Sequence, residues 1–189
     1  MRLKSPRIAP LADSELSPDQ AAILAPTASL GRVLNIFRTM VRAPKATTAF
    51  LAWGSYVLSR RNDLPARERE IVILRVGFLC KSGYEWTQHR EIGKRDGLTD
   101  AEIEAIKLGA AAGTWSAADT ALLNATDDLH HNHFVSDANW SALKTNFTEK
   151  QCMDVVFTTG QYTQVSMLLN TFGVQLDEGQ TLDPDLKGY

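Results

Sequence analysis

Proline placement is the tightest constraint on what this chain can fold into. The seven prolines lie at positions 6, 10, 18, 26, 44, 65 and 184, and none falls between Pro65 and Pro184. An interior proline removes a backbone N–H and clashes with the preceding helical turn, and an internal strand tolerates it no better, so helices must run between prolines and most of the room for them lies after Pro65. Helix-start signatures punctuate that stretch: Ser82-x-x-Glu85, Thr99-x-x-Glu102, Thr148-x-x-Gln151 and a weaker Ser116-x-x-Asp119. In each, the hydroxyl can cap an exposed backbone N–H while the acid or amide three residues on reaches back. Upstream, Ser17-Pro18-Asp19-Gln20 places proline at a first helical position, where its missing N–H costs nothing.

Apolar spacing agrees with the caps. Ile103, Ile106 and Leu108 after Thr99, and Val155, Val156, Tyr162, Val165, Met167, Leu168 and Leu169 after Thr148, suit helical faces better than a period of two. The pattern predicts short helices near 18–25 and 32–43, then longer ones near 45–60, 66–78, 83–96, 100–109, 117–132, 137–146 and 149–171. Gly97 reads as a terminator and Gly109–Gly113 as a flexible connection. Segments 1–16 and 174–189 are expected to be extended arms on a single all-α domain spanning 1–189, with its core about 32–176. The segment 149–171 is apolar on most sides, which suggests a buried central helix or one shared with another subunit.

Composition narrows the function classes. Twenty Lys+Arg against 22 Asp+Glu give a net charge of −2, so nothing draws the chain globally toward nucleic acid or an anionic membrane. No run approaches the roughly 18 apolar residues of a membrane span, and Met1–Pro6 is followed by no signal-peptide core. A soluble, cytoplasmic protein is expected. Two cysteines, Cys80 and Cys152, make no disulfide framework, which fits a reducing compartment.

Residues able to do chemistry concentrate at 67–89. Glu85 and His89 are four apart on one predicted helix and so share a face. A carboxylate beside an imidazole fixes its tautomer and raises its pKa, which suits a proton donor working near neutrality. Glu70, on the preceding predicted helix, could pack antiparallel against that face and complete a Glu–His–Glu cluster. The competing reading makes Glu85 the last member of a capping box and His89 a satisfied histidine. Tyr84 and Trp86 flank Glu85, and Cys80 precedes the cap, where a helix N-terminus would favour thiolate. Cys80 and His89 meet only if the chain bends at Ser82-Gly83. Cys152 reads as a buried apolar thiol, and Trp53, Tyr56, Trp115 and Trp140 as core or interface aromatics. Asp127 and His131 have a metal-like spacing, but histidines 130, 131 and 133 also suit a helix C-terminus, and no metal site is assigned. Gln161, Tyr162 and Gln164 could face a pocket or make interhelical contacts.

The stretch 63–97, from Asp63-Leu64-Pro65 through Cys80, Tyr84-Glu85-Trp86 and His89 to Gly97, resembles the carboxymuconolactone decarboxylase family, which shares its fold with alkyl hydroperoxidase D-like peroxidases. The similarity extends from Asn35–Arg38 through Gly160-Gln161-Tyr162 to Asn170–Leu176. It implies an all-α, alkyl hydroperoxidase D-like helical bundle, a homo-oligomer that is trimer-based or dimeric, a pocket near Glu70 and His89, a small-molecule substrate and no cofactor. The peroxidase branch uses a Cys-x-x-Cys pair ahead of the histidine, with an upstream glutamate as relay. Here those positions carry Ser82, Glu85 and Glu70, so a dithiol cycle has no residues to run on. The decarboxylase branch implies His89 as proton donor, Glu85 as its orienter and Glu70 as a second acid or base. Tyr84, Trp86 and Ser82 would contact the substrate, and Arg38, Arg42 or Arg75 would hold a substrate carboxylate. The resemblance also leaves room for a thiol-dependent, peroxiredoxin-type peroxidase working through Cys80 with an external reductant, and for a non-catalytic ligand-binding oligomer.

Overall fold

A computed structural model of the chain describes residues 3–28 and 32–188. Among these, the regular structure is helical: α1 (Pro18–Leu24), α2 (Asn35–Met40), α3 (Pro44–Val57), α4 (Ala66–Leu79), α5 (Gly83–Arg95), α6 (Asp100–Ile106), α7 (Ala117–Asn132), α8 (Asp137–Asn146) and α9 (Glu149–Phe172). Ser17, Thr99 and Thr148 close capping boxes with Gln20, Glu102 and Gln151, and Ser116 accepts from the Asp119 N–H. Ser82 makes no such bond, and the Glu85 side chain turns to His89 instead.

The helix at the centre is α4, and not α9. Every residue from Arg69 to Gly77 is buried. Three apolar clusters meet on it at helical spacing: Ile73 and Val76 pack with Tyr84, Tyr162, Val165 and Leu169; Val72 packs with Leu122, Leu143 and Val155; Ile71 and Leu74 pack with Trp86, Ile103 and Leu123. A helix enclosed on all sides has no solvent face, so its charged residues have to find partners inside. α9 instead buries one face and leaves Met153, Val156, Gly160, Gln164 and Met167 exposed. Its apolar residues are spread around the helix, some in the core and some, such as Met153, Val156 and Met167, facing outward.

Three segments expected to be a flexible connection and extended arms are fixed. Gly109–Ala112 forms a 3-10 turn whose first residue has φ +65° and lies so close to α4 that an added Cβ would sit 2.7 Å from Arg75 Nη2. Arg75 in turn donates to the carbonyls of Ile106 and Lys107, at 3.0 and 2.8 Å, and pairs with Asp127 at 2.6 and 2.8 Å. The described parts of both arms fold back on the bundle; residues 1, 2 and 189 lie outside the described residues. Arg7 and Ile8 donate to the Phe172 carbonyl. In the C-terminal arm, Asp183 accepts from Trp86 Nε1 at 3.1 Å and pairs with Lys107, while Leu186 is fully buried beside Ile71 and Trp86. No described helix is long and apolar enough to cross a membrane.

The anchored arm is testable. Leu186→Ala should lower unfolding stability by about 2–5 kcal/mol, the range for a large-to-small change in a closed core, measured as a shift in urea midpoint. A change within experimental error would mean the arm is dispensable.

Candidate active site

The turn between α4 and α5 sets the site. Cys80 ends α4, Lys81 takes a left-handed conformation with φ 55°, and the Ser82 N–H donates back to the Gly77 carbonyl at 2.8 Å. This reverses the chain, and α5 returns along α4 at close range. A Cβ on Gly77 would meet Glu85 Cγ at 3.4 Å, and one on Gly93 would meet Leu98 Cδ1 at 3.0 Å and Glu70 Cβ at 3.7 Å. Small residues at both ends of the contact let side chains of the two helices meet in its middle.

What meets there is a buried charge cluster. His89 Nδ1 lies 2.7 Å from Glu70 Oε2 and Nε2 lies 3.0 Å from Glu85 Oε1. Glu70 is completely inaccessible, and its second oxygen, Oε1, has no hydrogen-bond partner. The Tyr162 ring stands edge-on to the imidazole, with centroids 4.9 Å apart and planes at 82°. Burial works against a charged imidazole, but the two carboxylates overturn that and push His89 up to about 10. His89 is therefore an imidazolium at neutral pH, clamped from both sides. Burial, followed by the charges of Glu85 and Glu70, pushes the Tyr162 phenol well above its usual range, so it stays neutral.

Glu85 and His89 form part of the wall of a cavity of about 330 Å³, at the small end of the range for ligand sites. Tyr84, Gln88 and Ile92 continue the same face of α5; Phe50, Leu51 and Gly54 enter from α3, Ile36 and Phe37 from α2, and Gln161, Tyr162 and Val165 from α9. The polar wall is braced from behind by the C-terminal arm. Asp177 accepts from Tyr84 Oη at 2.5 Å, from Gln88 Nε2 at 2.8 Å and, through Oδ1, from the Asn35 N–H at 2.9 Å. Burial and the bond to Asp177 raise the Tyr84 phenol and keep it a donor.

Of the residues singled out in the sequence, Glu70, Glu85, His89 and Tyr84 converge here. Gln161 and Tyr162 also line the cavity, with Glu70 behind His89, whereas Trp86, Ser82, Cys80 and the three arginines do not. Trp86 points to the opposite side of α5, into the cluster with Ile71 and Leu74. Ser82 is buried, and its hydroxyl has no partner. Arg38 is held by the carbonyls of Leu11 and Val33, at 3.0 and 3.3 Å, and by Asp13 at 2.7 Å. Arg42 donates to the Ala9 carbonyl, and Arg75 is bound to Asp127. Cys80 opens onto a separate cavity, with Sγ 3.8 Å from His130 Nδ1, and it sits at the carbonyl end of α4, where the dipole does not favour thiolate. Asp127 is occupied by Arg75 and His131 Nδ1 lies 2.8 Å from the Asp127 carbonyl, so that spacing forms no metal centre. Gln88 also lines the cavity, and its place beside Glu85, His89 and Ile92 on one helical face is a usable signal in the sequence. Phe37, Phe50 and Gly54 carried none, because α2 and α3 are distant in sequence.

Residues 44–128 match the model of the carboxymuconolactone decarboxylase family. No curated protein sequence matches the chain. Among solved structures, the alkylhydroperoxidase AhpD core described as an uncharacterized peroxidase-related protein from Ralstonia eutropha JMP134 is 20% identical, with a TM-score of 0.77 over 90% of this chain and 93% of that one. An uncharacterized peroxidase-related protein from Silicibacter sp. TM1040 is 17% identical, with a TM-score of 0.75 over 94% and 92%. The debrominase Bmp8 in complex with 2,3,4-tribromopyrrole is 13% identical, with a TM-score of 0.73 over 93% and 94%. At these identities the likeness is one of fold: the AhpD-like helical bundle.

The clamped imidazolium links stability to pH. Its folded pKa of about 10 lies above the ordinary 6.5, so its stabilisation is fully present below about pH 6.5, declines as pH rises from there, and is gone above about 10. Urea midpoints of the wild type should therefore fall between pH 7 and 10 more steeply than those of His89→Gln. Parallel slopes would rule out a clamped charge.

Proposed function

We propose that the protein is a cofactor-independent enzyme in which Glu70, His89 and Glu85 form a proton relay facing a small-molecule cavity. The observation that carries this reading is that Glu85 pairs with His89 and also forms the cavity wall, while Glu70 holds the far side of the imidazole out of contact with the cavity. Glu85 takes a proton from a bound carbon acid, and the adjacent imidazolium supplies a proton to carbon. Transfer from Glu85 to His89 then restores the starting state. Such a cycle serves an isomerase: the proton taken from one carbon balances the proton delivered to another, and no net proton is consumed. His89 keeps the role of proton donor, and Glu85, besides orienting it, becomes the group that meets the substrate.

The expected size of the effect follows from general acid–base catalysis. With a panel of acidic and neutral unsaturated lactones in D₂O, wild-type protein should introduce deuterium at carbon, seen by NMR. Glu85→Gln and His89→Ala should slow that exchange by about 10²- to 10⁴-fold. Exchange at the wild-type rate in both variants would overturn the relay.

A thiol-dependent peroxidase reading rests on a different observation, the approach of Cys80 to His130 in the second cavity. Burial lowers the His130 pKa, which keeps its imidazole neutral and able to accept a proton. There the thiol would be oxidised to sulfenic acid as the peroxide is reduced to alcohol, and an added dithiol would return it to thiol. Peroxide consumption with dithiothreitol should then vanish in Cys80→Ser and persist in both Cys152→Ser and Glu85→Gln. Loss in Glu85→Gln, or persistence in Cys80→Ser, excludes it.

A further inference from the structure

The same cavity carries information about what it can hold. Among the described residues of its wall there is no lysine or arginine. The three arginines able to receive a substrate carboxylate are each committed to carbonyls or acids elsewhere. Arg69, a buried cation whose charge acts on Tyr162, is not part of the wall. The positive charge that does reach the cavity, on His89, is already flanked by two carboxylates. An anionic ligand would have to leave water to lie beside Glu85 with no free counter-charge, which is the costly way to bury an ion.

One polar group in the wall is left over. Gln161 is 5% exposed, and its Oε1 is buried with no hydrogen-bond partner. Its amide nitrogen lies beside Gly54, where an added Cβ would come within 3.7 Å, so the amide borders cavity space that the missing side chain leaves open. A buried acceptor without a donor is expensive unless a ligand completes it. The rest of the wall is mainly apolar, with Ile36, Phe37, Phe50, Leu51 and Val165 facing the same space.

We infer that the cavity takes an uncharged, largely apolar molecule bearing a hydrogen-bond donor, which the Gln161 carbonyl accepts, and that it turns away carboxylates. This rests on the relay reading only in placing the ligand's reactive carbon against Glu85. It departs from the expectation of a carboxylate-bearing ring compound, for which the wall offers no counter-ion.

Three ligands of similar size separate the contributions at neutral pH by calorimetry: 4-ethylphenol, neutral with a donor; 4-ethylanisole, neutral without one; and 4-ethylbenzoate, an anion. Wild-type protein should bind the phenol at least about tenfold more tightly than the benzoate. Gln161→Leu should weaken the phenol about tenfold and leave the anisole within about twofold, as expected for loss of one buried hydrogen bond. Gly54→Val, which narrows the cavity beside Gln161, should weaken all ligands that bind. Equal or tighter binding of the benzoate, equal losses of phenol and anisole in Gln161→Leu, or no binding of the phenol at about 5 mM would each overturn the inference. Binding and deuterium exchange are read separately on the wild-type protein, so the ligand class and the relay can fail independently. Retained selectivity without any deuterium exchange would therefore remove the proton chemistry and leave the ligand class standing.

Discussion

A buried carboxylate with an imidazolium against it is the interaction on which this architecture turns. Glu70 lies on a helix enclosed on every side, where an ionised group has no water to stabilise it. His89, 2.7 Å away, supplies the compensating charge, and Glu85 makes that charge durable by holding the other ring nitrogen. The cluster dictates how closely α4 and α5 approach, and glycines at 77 and 93 are what permit the approach. The stability of the α4–α5 pair and the readiness of the site are thus the same electrostatic arrangement, viewed from the core and from the cavity.

Around that pair, the structure divides polar labour between inward and outward partners. Arg75 on α4 is spent on Asp127 and on the carbonyls that end α6, locking the Gly109 turn. The C-terminal arm reaches back twice: Asp177 braces Tyr84 and Gln88 in the cavity wall, and Asp183 secures Trp86 on the other side of α5. Burial raises the Asp183 carboxyl, but Lys107, the Asp185 N–H and the Trp86 indole together bring it below the ordinary range. The cavity wall is therefore held by residues nearly a hundred positions downstream. This explains how an apparently plain arm, without periodicity, contributes to site geometry.

Most of the helical framework was legible, because it is written in local chemistry. Proline excludes helix interiors, capping hydroxyls mark starts, and apolar spacing marks faces; α4, α7 and α8 follow from these within a residue or so. The pairing of Glu85 with His89 was equally local, being one helical turn. Ser82-x-x-Glu85 shows where local rules mislead. The same four residues fit a capping box, yet Glu85 pairs with the buried imidazole and the Ser82 N–H already donates to the Gly77 carbonyl, so the box stays open. An apolar circumference does not by itself mark the centre of the bundle: α4 is the enclosed helix, and α9 keeps Met153, Val156 and Met167 exposed.

The sequence by itself determined that this is an all-α chain with an acid and a histidine on one helix face and no Cys-x-x-Cys pair beside that histidine, because those properties depend on residues within a turn of one another. Only the tertiary structure decided which arginines were free, that Cys80 and His89 open onto different cavities, and that Gln161 and Gly54 share a wall with Glu85. Those outcomes depend on which distant groups compete for the same charge or the same space. That competition is settled by packing around α4, where every buried polar group must either find a partner across the bundle or be left waiting for one.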